Sequence, residues 1–201
     1  MRGVRISHLI EHPEYIPQLA QWLFEQWAAI LGEKTPEPRI EHLKEHMNRD
    51  ELPIAWVAHA NGQLFGTAAL RVHGPEGRED LTPWLGGVFV GFHFRRRGIG
   101  AALCATVEDE ARSRKIETLY LFTLDKQAWF SRLGWTLLAP CVWHERPGDI
   151  MCKRLQTQPL LLVSSPKASR SITAPPTSSD SNASLMLCAI YVGRAAQEVK
   201  R

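Results

Sequence analysis

Residues 84–111 read WLGGVFVGFHFRRRGIGAALCATVEDEA. Trp84 to Val90 is an apolar, β-rich run of strand length, and Leu103, Val107 and Ala111 recur at helical spacing. RRRGIG therefore sits at the joint between a buried strand and a helix. TLYLFTLD, Thr118 to Asp125, then reads as a further strand, which makes the helix from about Ile99 to Lys115 a crossover and the two strands parallel neighbours.

The joint has a chemistry of its own. A helix N-terminus leaves four backbone N–H groups without intrahelical partners and carries partial positive charge, so it receives anions. Gly98 and Gly100 have no side chains to keep an anion away from the main-chain N–H groups of Arg97, Gly98, Ile99 and Gly100. Arg95, Arg96 and Arg97 add charge at the rim, each exposed contact contributing about 1 kcal/mol or less after screening. A pyrophosphate suits this pattern. A dinucleotide-binding GxGxxG fails at its third glycine, where Leu103 stands, and a Walker loop fails because no Gly-Lys-Ser/Thr follows. Coenzyme A fits the order of elements.

Upstream, Val4 to Leu9 is a weak strand, and Pro17 opens a helix whose face is Leu19, Leu23, Trp27 and Ile30, with Gly32 at its end. A shorter helix follows around Ile40, Leu43 and Met47. IAWVAHA and QLFGTAALRV flank Asn61-Gly62, a hairpin signal that predicts antiparallel strands. HGPEGREDLTP, residues 73–83, is a polar loop with room for function. After the central unit, QAWFSRL predicts a short helix and GWTLLAP and DIMCKRL two more strands, ending at Leu155.

In order, RRRGIG, LYLFT at 119–123 and WFSRLGW at 129–135, with PWLGGVFV at 83–90 before them, resemble the GNAT family of N-acetyltransferases. Arg95, Gly98 and Gly100 match that family's R/Q-x-x-G-x-G/A turn. The resemblance covers about residues 3–155 and implies an α/β fold of the GNAT acyl-CoA acyltransferase type: a mixed, mostly antiparallel sheet with helices on both faces. It implies acetyl-CoA as co-substrate, wedged where the fourth and fifth strands splay, and direct transfer of the acetyl group to an amine of a small molecule or peptide. The cofactor residues it implies are Phe89 and Val90, through strand backbone, and Arg95, Arg96, Arg97, Gly98, Ile99 and Gly100 at the turn. An N–H near Val90 would stabilise the developing oxyanion by a few kcal/mol. Gly86 and Gly87 either admit the substrate or mark a bulge.

The chain departs from the family at the acid: the tyrosine expected in the short helix is Phe130. Water, Tyr120 or Ser131 could replace it, but a thiolate with a pKa of about 8.5 leaves tolerably without help, and that is the expectation. The candidate base is Asp80, ahead of Glu79, His73 and Glu25. Acids at Glu25, Glu33, Glu37, Glu79 and Asp80 hint at a cationic acceptor. The alternative function is an acyl-CoA-binding sensor or partner subunit with little catalysis.

Composition excludes several other classes. The chain has 201 residues, 44% hydrophobic and 22% charged, enough for one full domain, and its formal charge of +3 forms no basic tract, so nucleic acid is not an expected partner. Neither a signal core nor an apolar stretch of membrane-spanning length is visible, so the expectation is a cytoplasmic protein with no membrane partner. Cys104, Cys141, Cys152 and Cys188 form no CxxC pair and read as free thiols. His42 and His46 have i, i+4 spacing but no companion ligands, so no metal is expected. Residues 156–201 turn rich in Ser, Pro and Thr and read as a disordered tail beside a domain of residues 1–155. Docking of the tail's last stretch, LMLCAIYVGRAAQEVKR, on a partner or on a second subunit of a homodimer is the other reading.

Overall fold

A computed structural model of the chain describes residues 3–155. The tail expected after Leu155, Cys188 included, lies outside them. Within them the Asn61-Gly62 pair takes positive φ at both residues, 49° and 73°, the conformation that joins two strands through a two-residue turn. It connects β2 (Ile54–Ala60) to β3 (Gln63–Arg71). Before this hairpin come β1 (Arg5–His8), α1 (Ile16–Leu31) and α2 (Glu37–Glu45); after it come β4 (Trp84–Val90), α3 (Ile99–Ser113), β5 (Thr118–Thr123), α4 (Gln127–Arg132), β6 (Thr136–Trp143) and β7 (Arg146–Arg154). One seven-stranded sheet results, in the order β1-β2-β3-β4-β5-β7-β6. Every pairing is antiparallel except β4 with β5.

The sheet is covered on both faces, as its sequence pattern implies. Leu103, Val107 and Ala111 of α3 are fully buried against Leu85, Leu119 and Leu121. On the other face Leu19 and Leu23 of α1 and Leu43 of α2 pack on Val57 and Leu64. Each leucine so buried contributes about 1.5–3 kcal/mol. Helix α1 ends as predicted, with Gly32 left-handed at φ 67°. Its predicted face changes partway: Leu19 and Leu23 are buried, whereas Trp27 is half-buried and turns its ring to Phe89 of β4, 6.3 Å between centroids. No helix among the described residues is long and apolar enough to cross a membrane.

Candidate active site at the β4–β5 splay

Strand β4 is where the sheet opens. Its parallel pairing with β5 is confined to Trp84 opposite Tyr120, with Tyr120 N donating to Pro83 O at 3.1 Å. Beyond that point β5 follows β7 along its whole length while β4 stays with β3. The two parallel strands therefore diverge toward the C-terminal end of β4. Gly91 N donates to Phe65 O of β3 at 2.9 Å, and the alternation of a strand turns the preceding amide, that of Val90, to the opposite edge, into the gap. The Val90 carbonyl accepts from Arg95 Nε at 3.0 Å, so the turn's own arginine holds that end of the strand.

A bulge precedes the gap. Thr67 pairs with Phe89 and Ala69 with Gly86, so β4 spends three residues where β3 spends two. Gly87 absorbs the extra residue at φ 60°, and a Cβ there would meet nothing. Backbone conformation, not crowding, demands this glycine. The sequence left a bulge and an approach for substrate as alternatives; the bulge is present.

At the end of β4 a single turn, Phe92–Phe94, leads through extended Arg95 and left-handed Arg96 (φ 61°) to left-handed Gly98 (φ 78°), which begins α3. A non-glycine residue in that region costs on the order of 1 kcal/mol and is common where a loop clamps a ligand. The first α3 bond runs from Ala102 N to Gly98 O at 3.0 Å, and no side chain caps the helix. The amides of Ile99, Gly100 and Ala101 thus come before the ladder starts. Ile99 is buried in the core and fixes the helix start, while Gly98 is exposed. A Cβ on Gly100 would stand 3.4 Å from Trp129 Cζ2, ordinary contact, so packing alone does not require glycine there. The Arg95 guanidinium lies over Phe89 and Phe92, 5.7 and 5.6 Å from the ring centroids, and Arg97 over Phe94 at 6.0 Å. Both are held beside the turn by aromatic faces.

A cleft of about 340 Å³ opens between α1 and this end of β4, lined by Trp22, Glu25, Phe89, His93 and Arg95 among others. Trp22 stacks obliquely on Phe89 at 5.7 Å, and Glu25 accepts from Gln21 Nε2 at 2.8 Å.

The acid and base candidates are dispersed. Asp80 is exposed and gripped by Arg78, whose Nε and Nη2 lie 2.9 and 3.2 Å from its two oxygens. That hydrogen bonding holds its carboxyl below the usual range, which works against a role as base. Glu79 accepts from Gly77 N at 2.9 Å, and backbone hydrogen bonds lower its pKa as well. Glu33 is paired with Arg39. Phe130, at the family's tyrosine position, is buried with its ring 4.7 Å from Trp129 and 6.2 Å from Trp135, while Ser131 is exposed. Tyr120 is half-buried beside Trp84, 5.8 Å between centroids, at the vertex of the splay. Cys104 is a buried free thiol whose pKa burial pushes up to about 12, the inert kind expected. Among the described residues no group of histidines, cysteines and acids is arranged to hold a metal.

Missed in the sequence was Arg71, the last residue of β3, which lies over Gly86. No motif marks it; its position beside the bulge depends on register.

Residues 16–135 match the acetyltransferase (GNAT) family model. The chain belongs to the GNAT family. No curated protein matches it in sequence. Among solved structures it is similar to aminoglycoside 6'-acetyltransferase type Ii, with 24% identity over 77% of this chain and 99% of that one and a TM-score of 0.61. An aminoglycoside 6'-N-acetyltransferase complexed with coenzyme A gives 22% identity, TM-score 0.60, and the same coverage. N-acetylglutamate synthase from Neisseria gonorrhoeae, complexed with coenzyme A and N-acetyl-glutamate, gives 22% identity and TM-score 0.56 over 78% of this chain and 36% of that longer one. At these identities the likeness is one of fold.

Proposed function

We propose that this GNAT protein is an acetyl-CoA-dependent N-acetyltransferase whose acceptor is the amine of a small molecule or peptide. The observation that carries this is the joint opening at the end of β4: the strand leaves β5 after Trp84, and the α3 N-terminus beside it presents amides with no side-chain cap. The relatives in which coenzyme A is bound share this fold.

The roles follow from the geometry. The amides of Ile99 and Gly100, with that of Gly98, receive the pyrophosphate oxygens, and the exposed arginine heads add long-range charge. Val90 offers strand edge to the pantetheine amides, whereas Phe89, expected beside it, turns its own backbone groups to β3 by the same alternation. The Val90 N–H faces the gap, where it stabilises negative charge on the thioester oxygen as the amine nitrogen attacks the carbonyl carbon. The C–N bond forms, the C–S bond breaks, and the electron pair leaves on sulfur. A thiolate with a pKa of about 8.5 needs no buried acid, which fits Phe130 where a tyrosine would stand. With Asp80 held by Arg78, the amine's proton goes to solvent, and only the neutral fraction of the amine reacts.

The test is calorimetric titration of acetyl-CoA into the wild type and Gly98→Asp, followed by thiol release with a panel of amines. An aspartate at this position sets bulk and like charge against the pyrophosphate, and because Gly98 is left-handed (φ 78°) the melting temperature of the variant is measured alongside to show that it stays folded. The expected result is micromolar binding by the wild type, weakened at least about 100-fold (on the order of 2.7 kcal/mol) in the variant. Equal affinities would overturn the phosphate assignment. Binding without transfer to any amine would favour the acyl-CoA sensor.

A further inference from the structure

Arg71 ends β3 directly opposite Trp84 and beside the β4 bulge. Ala69, two residues earlier, belongs to the α1/α2 face of the sheet, and strand alternation puts Arg71 on that face too. Its side chain runs across Gly86: a Cβ on that glycine would stand 2.7 Å from Arg71 Cδ and 3.1 Å from Nη1. Gly86 is therefore the space in which the guanidinium is stored.

This guanidinium lacks an acid. Among the described residues Arg71 has no ion-pair or hydrogen-bond partner; burial and the nearby Arg39 pull its pKa down, and Glu45 opposes them only at a distance. Arg39 is itself clamped by Glu33, with Nε and Nη2 at 2.8 and 2.6 Å from the two carboxylate oxygens. Glu45 is exposed and turned to His42 Nδ1 at 3.7 Å. His42 and His46 stand next to each other, 4.4 Å between rings, with His46 Nδ1 donating to the His42 carbonyl at 2.7 Å. Burial first, then charged neighbours including Arg71, push them down to about 3 and about 4, so both are neutral near pH 7. One positive charge, carried partly out of water and paired with nothing, is left beside the bulge of β4. Such a group is costly to keep and is the planar, bidentate complement of a carboxylate.

We propose that Arg71 binds the carboxylate of the acceptor, so that the substrate is an amino acid, an amine that carries its own anion. This rests on the acetyltransferase reading, and it reverses the hint of a purely cationic acceptor: Glu33 and Asp80 are spent on Arg39 and Arg78. Arg71 lies over Gly86, four residues before Val90 on the same strand, so the carboxylate anchors the acceptor upstream of the splay while its amine reaches along β4 toward it.

The experiment compares the free L-amino acids with their amides as acceptors for acetyl-CoA, in the wild type, Arg71→Met and Arg71→Lys, and measures the melting temperature with each compound without acetyl-CoA. Retained acetyl-CoA affinity shows that the variants are folded. The expected result is at least one amino acid with kcat/KM tenfold or more above its amide, a ratio that falls to near one in Arg71→Met and recovers in part in Arg71→Lys. Amides used as well as acids, or a ratio indifferent to Arg71→Met, overturns the proposal. If no amine is acetylated, the transferase reading fails and the melting temperatures decide Arg71 alone. Amino acids that raise the wild-type midpoint and leave Arg71→Met unmoved support the site; no shift, or the same shift in both, overturns it.

Discussion

The two faces of the sheet treat a charge drawn out of water differently. On the α3 face Glu108, 7% exposed, accepts from Lys153 Nζ at 2.7 Å, Trp135 Nε1 at 3.2 Å and Arg112 Nη2 at 3.3 Å, and Lys153 also donates to the Leu133 carbonyl at 2.8 Å. On the α1/α2 face Arg71 has no corresponding set. The satisfied charge ties α3 to the end of α4, the start of β6 and β7, and so fixes the helix that follows the RRRGIG turn. The unsatisfied one sits beside the bulge and keeps its donors. Where polar groups are fully partnered they serve the scaffold; where a charge is desolvated and left open, the fold bears an uncompensated cost.

The sharpest way to break that contrast is Glu108→Ala. It leaves the buried Trp135 indole N–H without its acceptor and the part-buried Lys153 ammonium without its counter-charge, with only the Leu133 carbonyl remaining, and the expected loss is about 3 kcal/mol, read from urea unfolding. A double variant, Glu108→Leu with Lys153→Met, removes both charges and is expected to recover much of that loss. A loss under about 1 kcal/mol in Glu108→Ala would mean that the network is not the anchor of α3.

Acid pH probes the other face. His46 is 4% exposed and its pKa is pushed from 6.5 to about 4 in the folded chain, so the unfolded chain binds more protons between those values. Its stabilising contribution is complete above pH 6.5 and is lost as pH falls toward 4, with a slope of at most about 1.4 kcal/mol per pH unit. Urea midpoints for the wild type and His46→Gln between about pH 7.5 and 4.5 should converge as the pH drops; parallel curves would show that His46 is not held neutral.

Local signals made the framework legible. The Asn61-Gly62 turn, the Gly32 stop and the apolar period of α3 act over a few residues and appear as expected, and the RRRGIG joint lies between strand and helix as its pattern requires. Legibility ended where partners are distant in sequence. The Arg78–Asp80 pair changes what Asp80 can do, and nothing in the polar composition of residues 73–83 announces it. Arg71 carries no motif, because its meaning depends on the bulge at Gly87 and on the neighbouring Gly86, which lets it lie across β4. Phe130 was readable as a departure from the family, but its place in the core was set by Trp129 and Trp135.

Replacing Arg71 by methionine has an expected sign opposite to Glu108→Ala. Removal of an unpartnered, desolvated charge in favour of an apolar chain of similar length should raise stability by about 1 kcal/mol, measured in urea without ligand. A loss instead would mean that Arg71 is structural, and the two faces would then treat charge alike.

The smallest effect belongs to Asp80→Asn. The pair with Arg78 is exposed, with Asp80 62% accessible, and such pairs contribute about 0–1 kcal/mol. Because Arg78 already holds the carboxyl below its ordinary pKa, Asp80 is a poor proton acceptor near neutral pH, and its loss should slow turnover by less than about threefold. The pH profile carries the sharper information. If solvent takes the proton, the rise of kcat/KM with pH follows the pKa of the acceptor amine and shifts when the amine is exchanged for one of different basicity. A catalytic carboxylate would instead give a limb that stays with the enzyme and disappears in Asp80→Asn, and turnover would drop there by roughly two orders of magnitude or more. That outcome would move the catalytic group into the loop of residues 73–83 and make Arg78 the residue that tunes it.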